Sequence, residues 1–594
     1  MKEMNMYSSN APTQFDRQQP EKKPMNKTIL IVIGVVIILF FCCIIAAAAI
    51  VFLDPFQLDL LGRISGKTDM AAQAMPEDTP LYIGVNLANF NPAKVNKIVK
   101  PFMEASGEFD ENDTQGMIEK LDEQLKDDIG MTITDDVMPW IGQFVGIGFA
   151  KIEMNPDYGD IEEANFVIIA EARDKKKADD FIEKLIDTIE DENGVNFSEK
   201  EYKGVTIYTS DDEYMPMSIC RSGSLVLLGT PENTLKDAID AQKGKNLRKD
   251  KEFKELAAAL PGQRGVTLYV NADEARDILG SMTSDLGQTG DQILGESTLE
   301  AWQNSAISLS LVDAGVKLDI VTGYDAEKLS DVDKQMLSGK GGIPPSVEKL
   351  PANTIMYIAG RQLNLVWDMY REAIFSAAGG MEDYEESMEL LSNQIGFHLE
   401  KDLITYLDQD WAVALVPGEG GFLAEQTDIS IGLVGLFGTS NEPALETTVG
   451  NFTEFAQSMG VNPENLSKDD YTLYEVVDPF TSSPMVAYGI GSKFLTIGTS
   501  SELLKGIFEG GNTLSKSAEH TRVWKEFPNN TIPVLYLNLQ EGIKLLKKNL
   551  EGYDLESFRE VEPYLKPIPF IAIGGSPLQN NITRATLIVF ITQD

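Results

Sequence analysis

The sequence repeats itself after residue 74, and this duplication restricts the possible folds more than any other feature. Four blocks recur in the same order, and the offsets of the last three pairs are 266, 269 and 267 residues. A chain with such a repeat is expected to build one structural unit twice. The paired blocks are Met75–Leu87 with Leu350–Leu363, Ile129–Ala150 with Ile395–Val416, Tyr202–Ile239 with Tyr471–Phe508, and the segments around Leu268 and Leu535.

A Gly- and Pro-rich stretch separates the two copies. Residues Leu337–Pro351 read LSGKGGIPPSVEKLP, a composition typical of a loop or linker. The sequence therefore predicts a first repeat over residues 66–335, a linker over 336–344 and a second repeat over 345–594.

Strand and helix patterns are mixed within each copy. Apolar residues recur at helical spacing over Asp174–Asp191, whereas Ala306–Leu311 and Val316–Val321 read as two paired strands. Short loops join the strand pairs, a habit of antiparallel sheets. We expect an α+β fold with two similar domains, each a mostly antiparallel sheet covered by helices. Further strand pairs are predicted at Val205–Tyr208 with Met217–Cys220 and at Phe570–Ile573 with Ala585–Ile591.

An uncharged apolar run occupies residues 28–53. Its 26 residues would span about 39 Å as a helix, enough to cross a bilayer core of about 30 Å. Lys22, Lys23 and Lys27 precede the run, which favours a cytoplasmic N-terminus. We predict a disordered cytoplasmic tail (1–27), a single transmembrane helix (28–53) and a juxtamembrane linker (54–65). The alternative is a cleaved signal peptide, which has a shorter apolar core and lacks so long a polar leader.

Charge and residue usage exclude several classes of function. The 594 residues carry a formal net charge of −42, so nucleic acid is not an expected partner. Two of the three cysteines lie in the apolar run, which leaves Cys220 without a partner for an intramolecular disulfide and best read as a buried apolar residue. The two histidines, His398 and His520, are too few to favour zinc hydrolase chemistry.

Repeated polar residues are the candidates for a functional element. Asp136 and Gln143 recur as Asp402 and Gln409, and we interpret each Asp as a helix cap with an aromatic residue, Trp140 or Tyr406, packed behind it. The Gly-Thr pairs at 229–230 and 498–499 also suit a helix start, with Thr230 as the cap and Pro231 in the first turn. The alternative interpretation is that an anion binds at these two helix starts.

Three acidic loops offer clustered oxygens outside the cell. They cover residues 110–116, 155–163 and 209–214, and none has the spacing of an EF-hand. A solvated acidic surface is the simpler interpretation, with calcium binding as the alternative. No catalytic, cofactor-binding or metal-binding residue is predicted, and no cofactor.

A Pro-x-(Asp/Asn)-Thr-x-x-Tyr motif opens both copies, at Pro76–Tyr82 and Pro351–Tyr357. Together with the later strand that ends in Gly-Thr, it resembles a bacterial family of exported, membrane-anchored proteins known only as a domain of unknown function. The resemblance implies an envelope location and supplies no catalytic residue, substrate or cofactor.

Three functional hypotheses follow. The first is a non-enzymatic binding or scaffold module of the cell envelope, whose partners would be an envelope protein or polymer. The second is an extracytoplasmic hydrolase that uses carboxylates as acid and base, since Asp and Glu are the abundant titratable groups. The third is a carrier that holds an apolar ligand in a cavity between sheet and helices.

Overall fold

The computed structural model describes residues 69–90, 92–106, 122–123, 125–126, 130–154, 161–212, 216–273, 296–376, 381–418, 430–478, 480, 482–550 and 552–592. The predicted cytoplasmic tail, the apolar run at 28–53 and the juxtamembrane linker lie outside these residues. Within the described ranges, no helix combines the length and the apolar character needed to cross a membrane.

The described part of the chain contains twenty strands, which form one antiparallel sheet. The first ten are β1 Leu81–Asn86, β2 Ile141–Met154, β3 Ile161–Ala172, β4 Phe197–Tyr202, β5 Val205–Ser210, β6 Ser218–Ser222, β7 Leu225–Thr230, β8 Val266–Asn271, β9 Trp302–Val312 and β10 Gly315–Tyr324. The second ten are β11 Met356–Arg361, β12 Asp410–Pro417, β13 Ile431–Gly438, β14 Glu464–Asn465, β15 Tyr471–Val477, β16 Pro484–Gly491, β17 Phe494–Gly498, β18 Ile532–Asn538, β19 Phe570–Gln579 and β20 Ile582–Phe590.

Fourteen described α-helices accompany the sheet. In the first half they are α1 Pro92–Ser106, α2 Lys175–Asn193, α3 Glu232–Lys243, α4 Lys251–Ala259, α5 Glu296–Ala301 and α6 Asp331–Met336. In the second half they are α7 Pro345–Glu348, α8 Leu363–Ser376, α9 Met381–Ile395, α10 Glu442–Ser458, α11 Ser501–Phe508, α12 Ala518–Trp524, α13 Leu539–Asn549 and α14 Gly552–Leu565. Short π-helical segments cover Ile133–Val137 and Leu399–Leu403, and 3-10 turns cover Ala72–Ala74, Leu87–Asn89, Leu247–Lys249, Ile404–Tyr406 and Leu514–Lys516.

The strand order is the same in the two halves. In the first half the strands pair in the order β4-β5-β6-β7-β3-β2-β1-β8-β9-β10. In the second half they pair in the order β14-β15-β16-β17-β13-β12-β11-β18-β19-β20. The described ladders are all antiparallel, which confirms the α+β class, and the three strand pairs predicted from the sequence are present.

The two halves meet strand to strand, because β10 pairs with β20. In that ladder Asp319 lies opposite Thr586, its own counterpart 267 residues later. The relation between the halves is therefore a pseudo-twofold axis that passes between these two residues. Sequence analysis predicts two sheets, and the β10–β20 ladder joins them edge to edge into one.

Side-chain contacts repeat along with the strands. In the shared entry motif, the Thr79 hydroxyl donates to the Pro76 carbonyl at 2.8 Å, and the Thr354 hydroxyl donates to the Pro351 carbonyl at 2.7 Å. The motif is thus a structural turn that leads into a central strand.

Helices cover both faces of the sheet, but unevenly. On one face, here called the packed face, α3 and α4 cover the first half and α7, α11 and α12 cover the second. On the opposite face, α2 packs over the outer strands of the first half and α10 packs over those of the second. The predicted helix at 174–191 is therefore confirmed as α2, and the Asp174 carboxylate caps it by accepting from the backbone N–H groups of Lys176 and Lys177.

Candidate functional site

Thr132 and His398 are the N-cap residues of the two π-helical segments, and the repeated aspartates lie within the segments and bond back to these caps. The Asp136 carboxylate accepts the backbone N–H of Thr132 at 2.7 Å, and the Asp402 carboxylate accepts the backbone N–H of His398 at 2.7 Å. Trp140 is buried nearby, with its ring centroid 4.9 Å from that of Phe181. The predicted role as the cap residue is therefore wrong for both aspartates, which instead satisfy the backbone N–H of the cap residue.

The predicted cap at Thr230 is wrong. Strand β7 continues through Thr230, which pairs with Phe166, and the residue before the first helical turn of α3 is Pro231, which makes no side-chain cap. In the second half the cap is Ser500, whose hydroxyl accepts the backbone N–H of Leu503. Thr230 is the last residue of β7, whereas Thr499 follows β17 and is held by its backbone N–H, which donates to the Leu433 carbonyl at 3.0 Å.

The remaining sequence candidates separate into different environments. Cys220 is buried, and burial raises the pKa of its thiol to about 12, which makes it an unreactive core residue. His398 caps a π-helical segment and His520 is buried beneath the sheet, so the two histidines have separate roles. The acidic loop at 110–116, residues 155–160 of the second loop and residues 213–214 of the third lie outside the described residues. Among the described residues, no group of three or more acidic, His or Cys side chains could hold a metal.

The centre of the sheet has an inverted polarity. In β9, Ser308 and Ser310 are 0% and 2% exposed on the packed face, while Ile307, Leu309 and Leu311 are only half-buried on the opposite face. In β10, Asp319 is fully buried and its neighbours Leu318 and Ile320 are half-buried. The usual arrangement places aliphatic side chains inside and short polar ones outside.

We call the half-buried aliphatic surface the apolar floor. It crosses five adjacent strands, about 19 Å across the strands and about 13 Å along them. None of the clusters of buried apolar residues in the described chain includes a floor side chain. The floor consists of Ile307, Leu309, Leu311, Val316, Leu318, Ile320, Leu587, Val589, Ile571, Ile573, Leu535 and Leu537.

The apolar floor extends onto the neighbouring strand β11, and helices border it. Ile358 of β11 is 43% exposed and pairs with Leu535. At the β9 side of the floor α1 contacts β9, and nearer to β11 helix α13 contacts β19. Helix α1 also contacts α14, so the helices beside the floor bridge the two halves.

A shallow cleft of about 10 Å³, room for about one water molecule, lies where α1 meets the β9–β10 turn. Its apolar lining is Ile98, Val312 and Ile591, together with Gly315. Its charged lining is Lys94, Lys97 and Asp313. The neighbouring residues along the two strands, Leu311 and Val316, belong to the floor, so the cleft lies at the floor's edge.

Beneath the floor, on the packed face, a buried ion pair marks the pseudo-twofold axis. One oxygen of Asp319 accepts from the Arg584 guanidinium at 2.6 and 3.0 Å and from the Thr586 hydroxyl at 2.7 Å. Arg584 also donates to the carbonyl of Ala259 at the end of α4. The cluster therefore ties β20 of one half to β10 and α4 of the other.

A second buried polar group distinguishes the two halves. In the first half Phe253 packs between Tyr82 and Tyr269, and His520 takes the equivalent place between Tyr357 and Tyr536. His520 Nε2 lies 2.8 Å from Trp524 Nε1 and 3.1 Å from the Tyr357 hydroxyl. Burial lowers the pKa of His520 to about 4, so the ring is neutral at pH 7. Its single Nε2 lone pair accepts the hydrogen bond from Trp524 Nε1, and the Tyr357 hydroxyl shares this acceptor at the longer distance.

Fold and site together define a duplicated, antiparallel α+β protein whose central sheet has one polar, packed face and one apolar, partly open face. Residues 32–590 match the family model "Protein of unknown function (DUF3352)", and the chain belongs to this family.

Other comparisons add little. No curated protein matches the sequence. Among solved structures, crystal form I of TP0453 shares 8% identity with a TM-score of 0.22, covering 43% of this chain and 79% of that chain. Crystal form III shares 10% identity with a TM-score of 0.23, covering 46% and 87%. Likeness at this level carries no argument about fold or function.

Sequence reasoning missed the floor. The signal that could have found it is the alternation of Ser with Ile or Leu in residues 307–311, next to Lys317 and Asp319 on the following strand. Such alternation gives the strand one polar and one aliphatic face. If the charged residues on the polar face of β10 are taken to pair with each other inside the protein, that face is the one that turns inward.

Proposed function

We propose that the chain is a non-enzymatic binding protein of the bacterial cell envelope whose ligand is an extended hydrocarbon lying on the apolar floor. The inverted polarity of β9, β10 and β20 carries this proposal. The sheet buries Ser308 and Asp319 and leaves Leu309 and Leu318 only partly buried. Exposure of these aliphatic side chains to water does not stabilise the folded protein. Contiguous apolar surface of this kind is typical of ligand grooves and binding faces.

The free energy gained by covering the floor is large enough to bind a ligand. If a ligand covers about 300 Å² of apolar surface, the transfer term is about 7 kcal/mol at about 25 cal/mol per Å². Ordering the ligand opposes part of this gain. The floor's aliphatic side chains can hold a hydrocarbon but cannot transfer a proton, which favours binding over catalysis at this surface.

Duplication explains how such a surface arises. The identical strand orders support repeats at 66–335 and 345–594 that descend from one ancestral unit and join through β10 and β20. The floor lies across this junction, so neither repeat alone would carry all of it.

Floor variants are expected to lose the ligand. Full-length protein in lipid nanodiscs would be exposed to a diazirine-bearing hexadecanol, and the labelled peptides mapped by mass spectrometry. We expect labelling of residues 302–324 and 570–590. The paired substitution Leu318→Gln with Leu587→Gln should reduce that labelling about tenfold, because each places a polar group against the hydrocarbon at a cost of about 1 kcal/mol or more.

The control is Leu390→Gln, the same substitution on α9 at a leucine that is 57% exposed and outside the floor. It should label like the unmodified protein. Equal labelling of the floor in all three proteins, or labelling confined to other segments, would contradict the proposed function.

We propose also that residues 28–53 anchor the protein, with residues 54–594 outside the cell and residues 1–27 inside. The run of 26 uncharged residues behind three lysines supports this orientation. Protease added to protoplasts should destroy a C-terminal epitope and spare an N-terminal one. Deletion of residues 28–53 should move the protein out of the membrane fraction. A protected C-terminal epitope would reverse the orientation.

A further inference from the structure

We infer that the hydrocarbon ligand carries an anionic headgroup, and that Lys94 and Lys97 hold this headgroup in the cleft beside the β9–β10 turn. The inference rests on the proposed function, since it names the chemical class of the ligand on the floor. An unbranched long-chain carboxylate, a fatty acid, is the occupant to which it commits.

The cleft lies directly beside the apolar floor. Ile98, Val312 and Ile591 give the cleft an apolar wall, and the adjoining residues Leu311 and Val316 begin the floor. The cleft and the floor thus adjoin at the ends of β9 and β10, close enough for one amphiphile to place its headgroup in the cleft and its chain on the floor.

The cleft carries more positive than negative side chains. The chain has 92 acidic and 50 basic residues, yet two of the three charged residues that line the cleft are lysines. They lie three residues apart on α1, so both side chains leave the same face of the helix. In a strongly acidic protein, such a local excess of positive charge is complementary to an anion.

A ligand carboxylate can replace Asp313, one of the partners of Lys94. The Lys94 ammonium lies 3.3 Å from the carboxylate of Asp313, and it donates to the Leu311 carbonyl at 3.4 Å. The Asp313 side chain is 87% exposed, so this ion pair is weak in water. A ligand carboxylate in the cleft would take the same role as Asp313, with Lys97 as a second cation that Asp313 does not use in the observed pair.

The test compares two ligands of equal chain length on the full-length protein in nanodiscs. Hexadecanoate and hexadecan-1-ol would each compete against the photoreactive hexadecanol probe. We expect hexadecanoate to bind about tenfold more tightly than the alcohol, which corresponds to about 1.4 kcal/mol. The double variant Lys94→Gln with Lys97→Gln should remove this preference while keeping alcohol binding. The preference should also shrink as salt is raised, because the ion pairs are near the surface.

Lys100→Gln is the matched control. Lys100 lies on the same helix, outside the cleft, and pairs with Glu104 at 3.5 Å. This variant should retain the preference, and thermal unfolding of each variant would show that the fold is intact. Equal binding of acid and alcohol by the unmodified protein would overturn the anionic headgroup but leave the hydrocarbon site standing. Failure of both ligands to compete would instead reject the proposed function itself.

Discussion

Asp319→Ala is expected to lower the free energy of unfolding by about 3 kcal/mol, the largest effect of any single substitution proposed for this protein. Its carboxylate is fully buried and accepts from Arg584 and Thr586. Removing it leaves the Arg584 guanidinium partly buried without its counter-charge, a loss that typically costs about 3–5 kcal/mol. We take the lower figure because the Arg584 side chain is 23% exposed.

A double-mutant cycle measures whether the pair itself carries this energy. Asp319→Ala, Arg584→Ala and the double variant would be unfolded in urea at pH 7.5. We expect the double variant to be more stable than the sum of the single losses predicts, by about 2 kcal/mol. Asp313→Ala, which removes the exposed partner of Lys94, should change stability by less than about 0.5 kcal/mol. Additive losses at Asp319 and Arg584 would contradict coupling across the axis.

Acidification is expected to destabilise the protein through His520. The pKa of this histidine is about 4 in the folded chain against an ordinary value of 6.5, because burial disfavours the charged ring. Its contribution to stability is therefore complete above pH 6.5 and is lost as the pH falls from 6.5 toward 4, where the unfolded chain binds the proton first. At pH 5 the loss is about 2 kcal/mol at 1.36 kcal/mol per unit.

The first half supplies the variant that tests this explanation. His520→Phe copies Phe253, its counterpart between the paired tyrosines. We expect it to lose about 2 kcal/mol at pH 7.5, because Trp524 Nε1 and the Tyr357 hydroxyl lose their acceptor. Between pH 7.5 and 5, however, its stability should fall by about 2 kcal/mol less than that of the unmodified protein.

His398→Asn is the control for this titration. Asn keeps an acceptor at the start of the π-helical segment, where His398 accepts the backbone N–H of Lys401. The pH dependence of urea unfolding should match that of the unmodified protein. An unchanged pH slope in His520→Phe would show that other groups cause the loss in acid.

Local pattern predicted local structure well in this chain. The helical spacing over residues 174–191 corresponds to α2, and the alternating runs at 306–311 and 316–321 correspond to β9 and β10. Each of these elements is specified by neighbours close in sequence, whose spacing decides which side chains share a face. The error at Thr230 arose at a boundary, where a strand and a helix compete for one residue.

The candidate site could not be found in the same way. Alternation in β9 separates Ile307, Leu309 and Leu311 from Ser308 and Ser310, and hydrophobicity alone assigns the aliphatic set to the core. In the folded chain the serines face the helices, because the register of β8, β9, β10 and β20 continues the packed face of the outer strands across the axis.

By itself, the sequence determined the α+β class, the duplication, helix α2 and the three predicted strand pairs, because each depends on repeats and periodicities that are visible along the chain. Only the tertiary structure decided that β10 pairs with β20, that Asp319 lies at the axis and that the aliphatic face of the centre stays partly open. Those outcomes depend on contacts between residues about 267 positions apart, and no local pattern records which surfaces such contacts will cover.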